Sequence, residues 1–416
     1  VDFGLSDEQQ ILQQTVARLL ENECPISRVR DLYEGEEPYD PGAWKALVDL
    51  GVAGLLVPEE HGGAGLGLVD LALVAEVLGR AATPVPFLGH AMATVAVLEG
   101  GSEAQRARWL PKLASGEVRG AVAWAEEGAR PGAARWEPET WSLRPERPGA
   151  RGDRAAGAAG AATEPPPSRA ADTKHSGAAR SGAEAPGPGG EATVSGTKAW
   201  APAAAGADLL VVGAVGGELL LMEGGAPGVT TEPVDDLDRT RRLDRVVLEG
   251  APCELLAAGV RAARRARDAG LALLAADAFG GASHLLELSL DYAQTRVQFG
   301  VPVASFQAVK HRLADMAVEV EPARALYWYA AHAWDALPDE AERAAALAKA
   351  HLGDVFAGVA RDAVEIHGGL GFTWECDVQL WLKRALFDRA FLGSPAHHRE
   401  RAARLAGWSD TEEATA

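Results

Sequence analysis

The hydrophobic period of this chain changes twice along its length, and those two changes limit the folds open to it. In residues 6–125 apolar positions recur at helical spacing. "SDEQ" (Ser6 to Gln9) has the pattern of a capping box, Leu12, Val16, Leu19 and Leu20 follow it, and "VDLALVAEVLGR" (69–80) is a second such segment. Around 196–250 the period shortens to two or to brief apolar runs, as in "DLLVV" (208–212), "ELLLM" (218–222) and "RVVLEG" (245–250), with Gly216 and Gly217 at a turn. From about 258 helical spacing returns, and the longest helix is expected over 339–366, with Leu352, Val355, Phe356, Val359, Ala363 and Ile366 on its buried stripe. The expected fold class is α+β, mostly α. It comprises an N-terminal helical domain (1–122), a small middle β domain (123–255) and a C-terminal helical domain of four-helix type (256–410).

Residues from about 128 to 192 fit neither period. The run "RPGARGDRAAGAAGAATEPPPSRAA" is rich in Ala, Gly, Pro, Arg and Ser, and a disordered insertion is expected at about 135–192 within the middle domain. No aromatics alternate with its arginines between 145 and 190, so a solvated linker is the better reading than a nucleic-acid arm.

The chain has 416 residues, enough for two or three domains, and a formal charge of −19. That charge argues against a nucleic-acid or anionic-membrane surface, because such binding draws on neutralised phosphates. Cys24, Cys253 and Cys376 are too far apart for a C-x-x-C site, no secretory or long apolar segment opens the chain, and a reducing cytoplasmic location is expected. Neither the tandem His397 and His398 nor any H-E-x-x-H spacing suggests a metal site, and the arginines beside the histidines point to a surface helix.

"IHGGLGFTWE" (366–375) ends the long helical run with three glycines. One glycine suffices to end a helix in the left-handed conformation, and Gly368 stands at that place. Gly369 and Gly371 suit a backbone that approaches a ligand closely, such as a pyrophosphate. Cap and cradle stay equally open on these residues alone. An esterase oxyanion loop would require a G-x-S-x-G nucleophile elbow, which the chain lacks, and the spacing is not a Rossmann fingerprint.

A second cluster, "TRVQFGVPVASFQAVKHRLADM" (295–316), precedes the glycines by some seventy residues, and together the two resemble the acyl-CoA dehydrogenase family. "VPEEHGGAGLGLVDLALVAEVLGR" (57–80) is also similar to that family, so the resemblance covers nearly everything outside the insertion. It implies that Arg296, Phe299, Gly300 and Gln307 hold FAD, and that Gly368, Gly369 and Gly371 meet its pyrophosphate and adenosine. An arginine forks onto pyrophosphate oxygens and a phenylalanine covers apolar cofactor surface, which is coherent chemistry. "VSGTKAW" (194–200) is similar to the family's G-x-K-x-W element and implies that Trp200 walls the flavin. The implied reaction removes the proton α to a thioester carbonyl and passes the β hydride to FAD, in lipid metabolism, with an electron-transfer flavoprotein as acceptor. The implied assembly is a homo- or hetero-oligomer in which a neighbouring subunit completes each FAD site.

The chain also departs from that pattern. Pro202 stands where the family has a flavin-contacting threonine, and proline has neither hydroxyl nor N–H. "AWAEEGARPGAA" (123–134) replaces a T-E-x-x-A-G-S-D loop. The family's catalytic glutamate falls on Leu392, and its alternative position on Gly270; neither residue can take a proton. Of the nearby carboxylates, Asp277 lies on nearly the same helix face as Gly270 and Asp268 points away, so Asp277 is the candidate base, with burial expected to raise its pKa. Three readings follow from the residues. The chain is an acyl-CoA dehydrogenase with an unusual base, a non-catalytic subunit whose partner supplies the glutamate, or a flavin oxidase on the same fold.

Overall fold

The structure, a computed structural model, describes residues 4–126, 136–146 and 191–408. Six helices open it: α1 (Asp7–Glu23), α2 (Ile26–Glu34), α3 (Pro41–Asp49), α4 (Leu68–Arg80), α5 (Phe87–Gly100) and α6 (Glu103–Ala114). The capping box is formed, with Gln9 N donating to Ser6 Oγ (3.2 Å) and Ser6 N to Gln9 Oε1 (3.1 Å). The sheet then takes β1 (Gly120–Ala123), β2 (Pro145–Glu146), β3 (Glu191–Pro202), β4 (Leu209–Gly213), β5 (Leu219–Glu223), β6 (Val229–Pro233) and β7 (Leu243–Leu255). Its order is β1-β4-β5-β7-β3-β2, with β6 also on β7; β1 and β4 run parallel and the other pairs antiparallel. The apolar runs over 208–212 and 218–222 become β4 and β5, buried on both faces, because helices cover one side and sheet side chains the other.

The C-terminal part holds α7 (Gly259–Thr295), a small hairpin β8 (Val297–Gln298) and β9 (Val301–Pro302), then α8 (Gln307–Val320), α9 (Arg324–Ala336), α10 (Pro338–His367), α11 (Val378–Ala390) and α12 (Pro395–Leu405). The helix expected over 339–366 is α10, with 30 residues, but it is not the longest: α7 has 37, because its apolar and small residues are buried on all faces and mark no single stripe. The start of α10 is fixed by Pro338, tolerated at the first helical position, and its end by Gly368, whose φ of 61° and ψ of −139° suit glycine alone.

The centre of the molecule is α7, which packs against α4 and α5 on one side and against α9, α10 and α11 on the other. Small residues bring these backbones together. A Cβ on Gly79 of α4 would lie 2.1 Å from the Asp277 carbonyl, and one on Gly280 would lie 1.9 Å from the Glu76 carbonyl. Opposite them, Gly281 makes room for the Phe356 ring of α10. A reach across the fold also caps α4, whose Leu68 N–H donates to Asp335 Oδ2 of α9 at 2.8 Å, over a glycine, Gly67, that leaves space for the carboxylate.

The insertion expected at about 135–192 needs correction at its start, while 147–190 lie outside the described residues. Residues 136–146 are folded. Trp136 meets Phe391 edge-on at 4.8 Å, Trp141 covers Gly213 beside Trp124, and Pro145 and Glu146 pair with β3. Two tryptophan rings, with Leu143, bury more apolar area than the surrounding Gly-Ala-Pro composition suggests, so this piece has a core to join.

Gly280→Ala is expected to destabilise the protein by about 1–3 kcal/mol, because the added methyl meets a backbone carbonyl that cannot move alone. Gly358→Ala in α10, with open space at its Cβ, should be neutral or stabilising. Denaturant midpoints of the two variants check this; a Gly280→Ala protein as stable as the parent would refute the close crossing.

Candidate functional site

The residues singled out from the sequence gather at opposite ends of α7. At its C-terminal end, Arg296 follows the last turn and starts the β8–β9 hairpin, with Val303 N donating to the Arg296 carbonyl at 2.8 Å. Tyr292 stacks on His367 at 4.3 Å, and its hydroxyl donates to the His367 carbonyl at 3.4 Å, which sets the glycine segment beside this hairpin. Phe299 is 92% exposed, Phe306 lies edge-on to it at 6.1 Å, and Phe372 is also exposed. The Arg296 guanidinium has no hydrogen-bond or ion-pair partner among the described residues.

The three glycines do three different things. Gly368 supplies the dihedral angles that end α10. Gly371 permits close packing, since a Cβ there would lie 2.5 Å from the Val364 carbonyl. Gly369, with its neighbour Gly368, faces open space. Bare backbone, an unpaired guanidinium, the exposed Gln307 and an exposed phenyl ring make a surface suited to a pyrophosphate and an adenine, so the residues present fit the adenosine half of FAD.

The other end holds the two positions where the resemblance places a catalytic carboxylate. They are neighbours in space: a Cβ on Gly270 would lie 3.0 Å from Leu392 Cδ1. Between them the volume is taken by Met92 of α5, whose sulfur would lie 2.8 Å from that Cβ. Met92 is 0% exposed and Leu392 1% exposed, so both base positions and the space they share are apolar and closed. Sequence reasoning missed Met92, because "FLGHAMATVAVL" is apolar on every face of α5 and marks no stripe.

Leu392 has a φ of +59°, unusual for a side chain with a Cβ. Two buried groups hold this turn. Lys349 Nζ donates to the carbonyls of Gly393 (3.1 Å) and Arg389 (3.3 Å), and burial pushes its pKa down to about 7. His398 Nε2 donates to the Leu392 carbonyl at 2.9 Å. The surface-helix reading of the tandem histidines is thereby corrected. His398 is fully buried under the turn, and His397 Nε2 pairs with Glu137 Oε1 at 2.7 Å, because α12 packs back onto α10 and the 136–146 segment.

Trp200, in β3 with a φ of +53°, is half-buried against the main core, and Pro202 follows with its carbonyl close to Gly89 of α5. Pro202 thereby belongs to the Gly270 end, with Trp200 two residues before it in β3. Glu126, from the segment that replaces the family's flavin-contacting loop, accepts from Ser142 N (2.6 Å), Leu143 N (2.9 Å) and Lys198 Nζ (3.1 Å). Burial raises the Glu126 pKa, but these donors outweigh it and bring it to about 2. The carboxylate is committed to anchoring 136–146.

Asp277 does not have the raised pKa expected of a base. Its carboxylate is forked by Arg384 (Nε to Oδ1 2.9 Å, Nη2 to Oδ2 2.6 Å) and also paired with Arg241. Burial pushes its pKa up, yet the two guanidiniums overcome that and hold it below the usual aspartate range. The neighbouring Asp388 goes the other way: burial raises its pKa well above the ordinary value, and the nearby Asp277 carboxylate pushes in the same direction. Asp268 is likewise taken, by Arg401 (2.8 Å) and Arg267 (3.2 Å). Both candidate carboxylates on α7 are ion-pair members because a helix buried on all sides leaves them nowhere else to be charged.

Residues 6–117 match the acyl-CoA dehydrogenase N-terminal domain, and residues 257–406 match the acyl-CoA dehydrogenase C-terminal domain. The acyl-CoA dehydrogenase IpdE2 of Mycolicibacterium smegmatis is 32% identical over 397 residues, covering 94% of this chain and 96% of the relative. IpdE2 of Mycobacterium tuberculosis is 30% identical over 390 residues, covering 94% of each. Among solved structures, a variant of the Tcur3481–Tcur3483 steroid ACAD superposes with a TM-score of 0.79 at 27% identity, covering 96% of this chain and 98% of that one. The ChsE4–ChsE5 complex of Mycobacterium tuberculosis shares the fold at a TM-score of 0.79 and 23% identity, covering 99% of this chain and 100% of that one. The α–β–α order, the glycine segment and the arginine hairpin thus have one common explanation: the chain belongs to the acyl-CoA dehydrogenase family, flavoprotein oxidoreductases acting on the CH–CH bond of acyl-CoA thioesters.

Proposed function

We propose that this chain serves the α,β-dehydrogenation of an acyl-CoA thioester by helping to form an FAD site shared between subunits. The observation that carries the shared site is the separation of its two halves. Gly270 and Arg296 are 26 residues apart on one helix, or roughly 39 Å, more than one extended flavin dinucleotide spans. The Trp200 side of one chain and the Arg296 and glycine side of the same chain therefore serve different cofactors. Arg296, Phe299, Gln307 and the backbone of Gly368 and Gly369 would hold the pyrophosphate and adenosine of a neighbour's FAD, and the half-buried ring of Trp200 would wall the flavin of this chain's own half. Bound FAD supplies the acceptor for the β hydride.

The exposed Phe299 and Phe372, with Leu370 and Val297, support an oligomer, since apolar side chains this exposed gain free energy when a second subunit covers them. An electron-transfer flavoprotein is the acceptor this reading implies. The buried, unpaired thiols of Cys24, Cys253 and Cys376 suit the reducing cytoplasm in which we place the protein.

A second reading is favoured by one observation. The reaction needs a carboxylate at the substrate α-carbon, and here Gly270, Leu392 and Met92 occupy both places where the family has one. In that reading a second, unlike chain supplies the glutamate and its acyl site, and this chain contributes the Arg296 and Gly368 surface. Three experiments separate these readings and test the residues.

Arg296→Ala should lower the flavin-to-protein ratio after desalting, because a charge-assisted contact to a buried pyrophosphate is lost. An unchanged ratio removes Arg296 from the site. Leu392→Glu alone should stay inert, with its carboxylate pressed against Met92, whereas Leu392→Glu with Met92→Ala should gain acyl-CoA-dependent bleaching of flavin. Full bleaching by the unmodified chain without a second polypeptide would reject the supplied-base reading. Asp277→Asn should cost about 3–5 kcal/mol of stability at pH 7, since it leaves two buried guanidiniums short of a counter-charge. Because the folded Asp277 titrates below its unfolded value of about 3.9, its stabilisation is full above that pH and is lost as pH falls through the folded pKa, so the deficit of the variant should shrink in acid. Unfolding curves against pH measure this; a fall in turnover of about 10²–10⁴ with stability unchanged would restore Asp277 as the base.

A further inference from the structure

Trp200, the residue that would wall the flavin, has a left-handed backbone with a φ of +53°, and Ala203 repeats that conformation at +49°. Such dihedrals are costly for a residue with a large side chain, and they persist only where the surroundings fix them from several sides. The pairing of β3 with β7 does not fix them, because its register slips between Lys198 and Ala201 and passes over Ala199 and Trp200.

The ties come instead from the two ends of β1. Beyond its C-terminal end, the Ala125 carbonyl accepts from Ala199 N at 2.8 Å and the Trp124 carbonyl from Lys198 Nζ at 3.1 Å. Immediately before its N-terminal end, Arg119 forks its guanidinium onto the carbonyls of Ala203 and Ala205, the latter at 2.6 Å. Arg119 is itself firmly placed. It is buried, its guanidinium lies over the Tyr39 ring at 5.0 Å, its N–H donates to Asp208 Oδ2 at 2.8 Å and its carbonyl accepts from Asp208 N at 2.9 Å. The buried Asp244 adds to the hold by accepting from Ala205 N at 2.7 Å, and Ala203 N donates to the Arg242 carbonyl at 2.9 Å. On the far side of Trp200 these bonds all fall after Pro202, which has no N–H with which to tie itself. A planar fork fixes two acceptors in one geometry, which the point charge of a lysine does not.

We propose that Arg119 is a positioning residue for the flavin: with Asp244 it holds the 203–205 turn, so that Trp200 keeps its strained backbone and presents its ring to the cofactor. This rests on the reading of Trp200 as the flavin wall. Arg119 acts through the turn and not on the reacting atoms. Loss of the guanidinium lets the turn relax and the ring move away, while the Arg296 surface is left as it was.

The test is flavin fluorescence of the full chain in the assembly it forms, loaded with FAD and desalted, with emission expressed per bound FAD. Trp200→Leu should raise the emission, because an indole against the flavin quenches it. Arg119→Met should recover about half or more of that rise, since a strained turn freed of its ties favours the relaxed form by about fivefold or more. In the Trp200→Leu background the same substitution should add nothing, because its effect passes through the ring. Arg119→Lys, which keeps the charge without the fork, should fall between parent and Arg119→Met, and it carries the test if Arg119→Met does not fold. Parent-like emission from the Arg119 variants overturns the inference and leaves the flavin wall standing. So does a rise of equal size with and without Trp200, which is the mark of general loosening. A parent chain that retains no FAD, or Trp200→Leu emission equal to the parent's, removes the flavin wall itself, and the inference falls with that reading.

Discussion

The rest of the structure depends on one helix being buried on every side. From Ala262 to Leu285 most residues of α7 are inaccessible, with the N-terminal helices on one flank and the C-terminal bundle on the other. An α-helix in that position cannot send charged side chains to water. Each charge it carries must therefore meet an opposite charge from a neighbouring element, and each close neighbour must be given space by a glycine. Both consequences are visible. Arg267 and Asp268 join Glu137, Glu342 and Arg401, and Asp277 joins Arg241, Arg384 and Asp388. Buried pairs of this kind add little net stability over apolar residues, but they are costly to break, so they fix which elements sit against which.

The same constraint separates structure from chemistry among the acidic residues. A general base must be charged near neutral pH and still have a site for a proton. Asp268 and Asp277 are charged because arginines hold them, and the arginines occupy the lone pairs that a substrate proton would need. At Gly270 and Leu392, where the resemblance places a base, the reverse holds, since neither residue can ionise. Lys349 and His398 nonetheless grip the Leu392 turn by its carbonyls, so its backbone is held in place with an apolar side chain upon it. A helix-bound frame with an altered side chain at its centre fits a subunit that shares its site with another chain.

The surface around Arg296 differs in kind. Arg296, Phe299, Gln307 and the glycines lie at the open end of α7, where no packing requirement explains an exposed phenyl ring or an unpaired guanidinium. Exposed apolar rings clustered beside an unpaired guanidinium are the make-up of an interaction surface rather than of a packed one. The charged cluster around Asp277 is the opposite case, buried and accounted for by internal pairs among Asp277, Arg241, Arg384 and Asp388.

Sequence alone determined the order of the domains, the cap at Ser6, the span of α10 and the two motifs at the far end of α7. Each of these is written locally: hydrophobic period follows backbone geometry, and a cap or helix-ending glycine acts within a few residues. Counting along motifs singled out Gly270 and Leu392, and the fold brings their side-chain positions together in space. Only the tertiary structure decided that Asp277 is an ion-pair member, that His398 is buried, that residues 136–146 fold and that Met92 fills the shared base position. Those outcomes turn on partners 260 residues away for Glu137 and His397, and 107 residues away for Asp277 and Arg384. A charge has no fixed meaning in a sequence, because its protonation and reach are set by whichever groups the fold brings within a few ångströms of it.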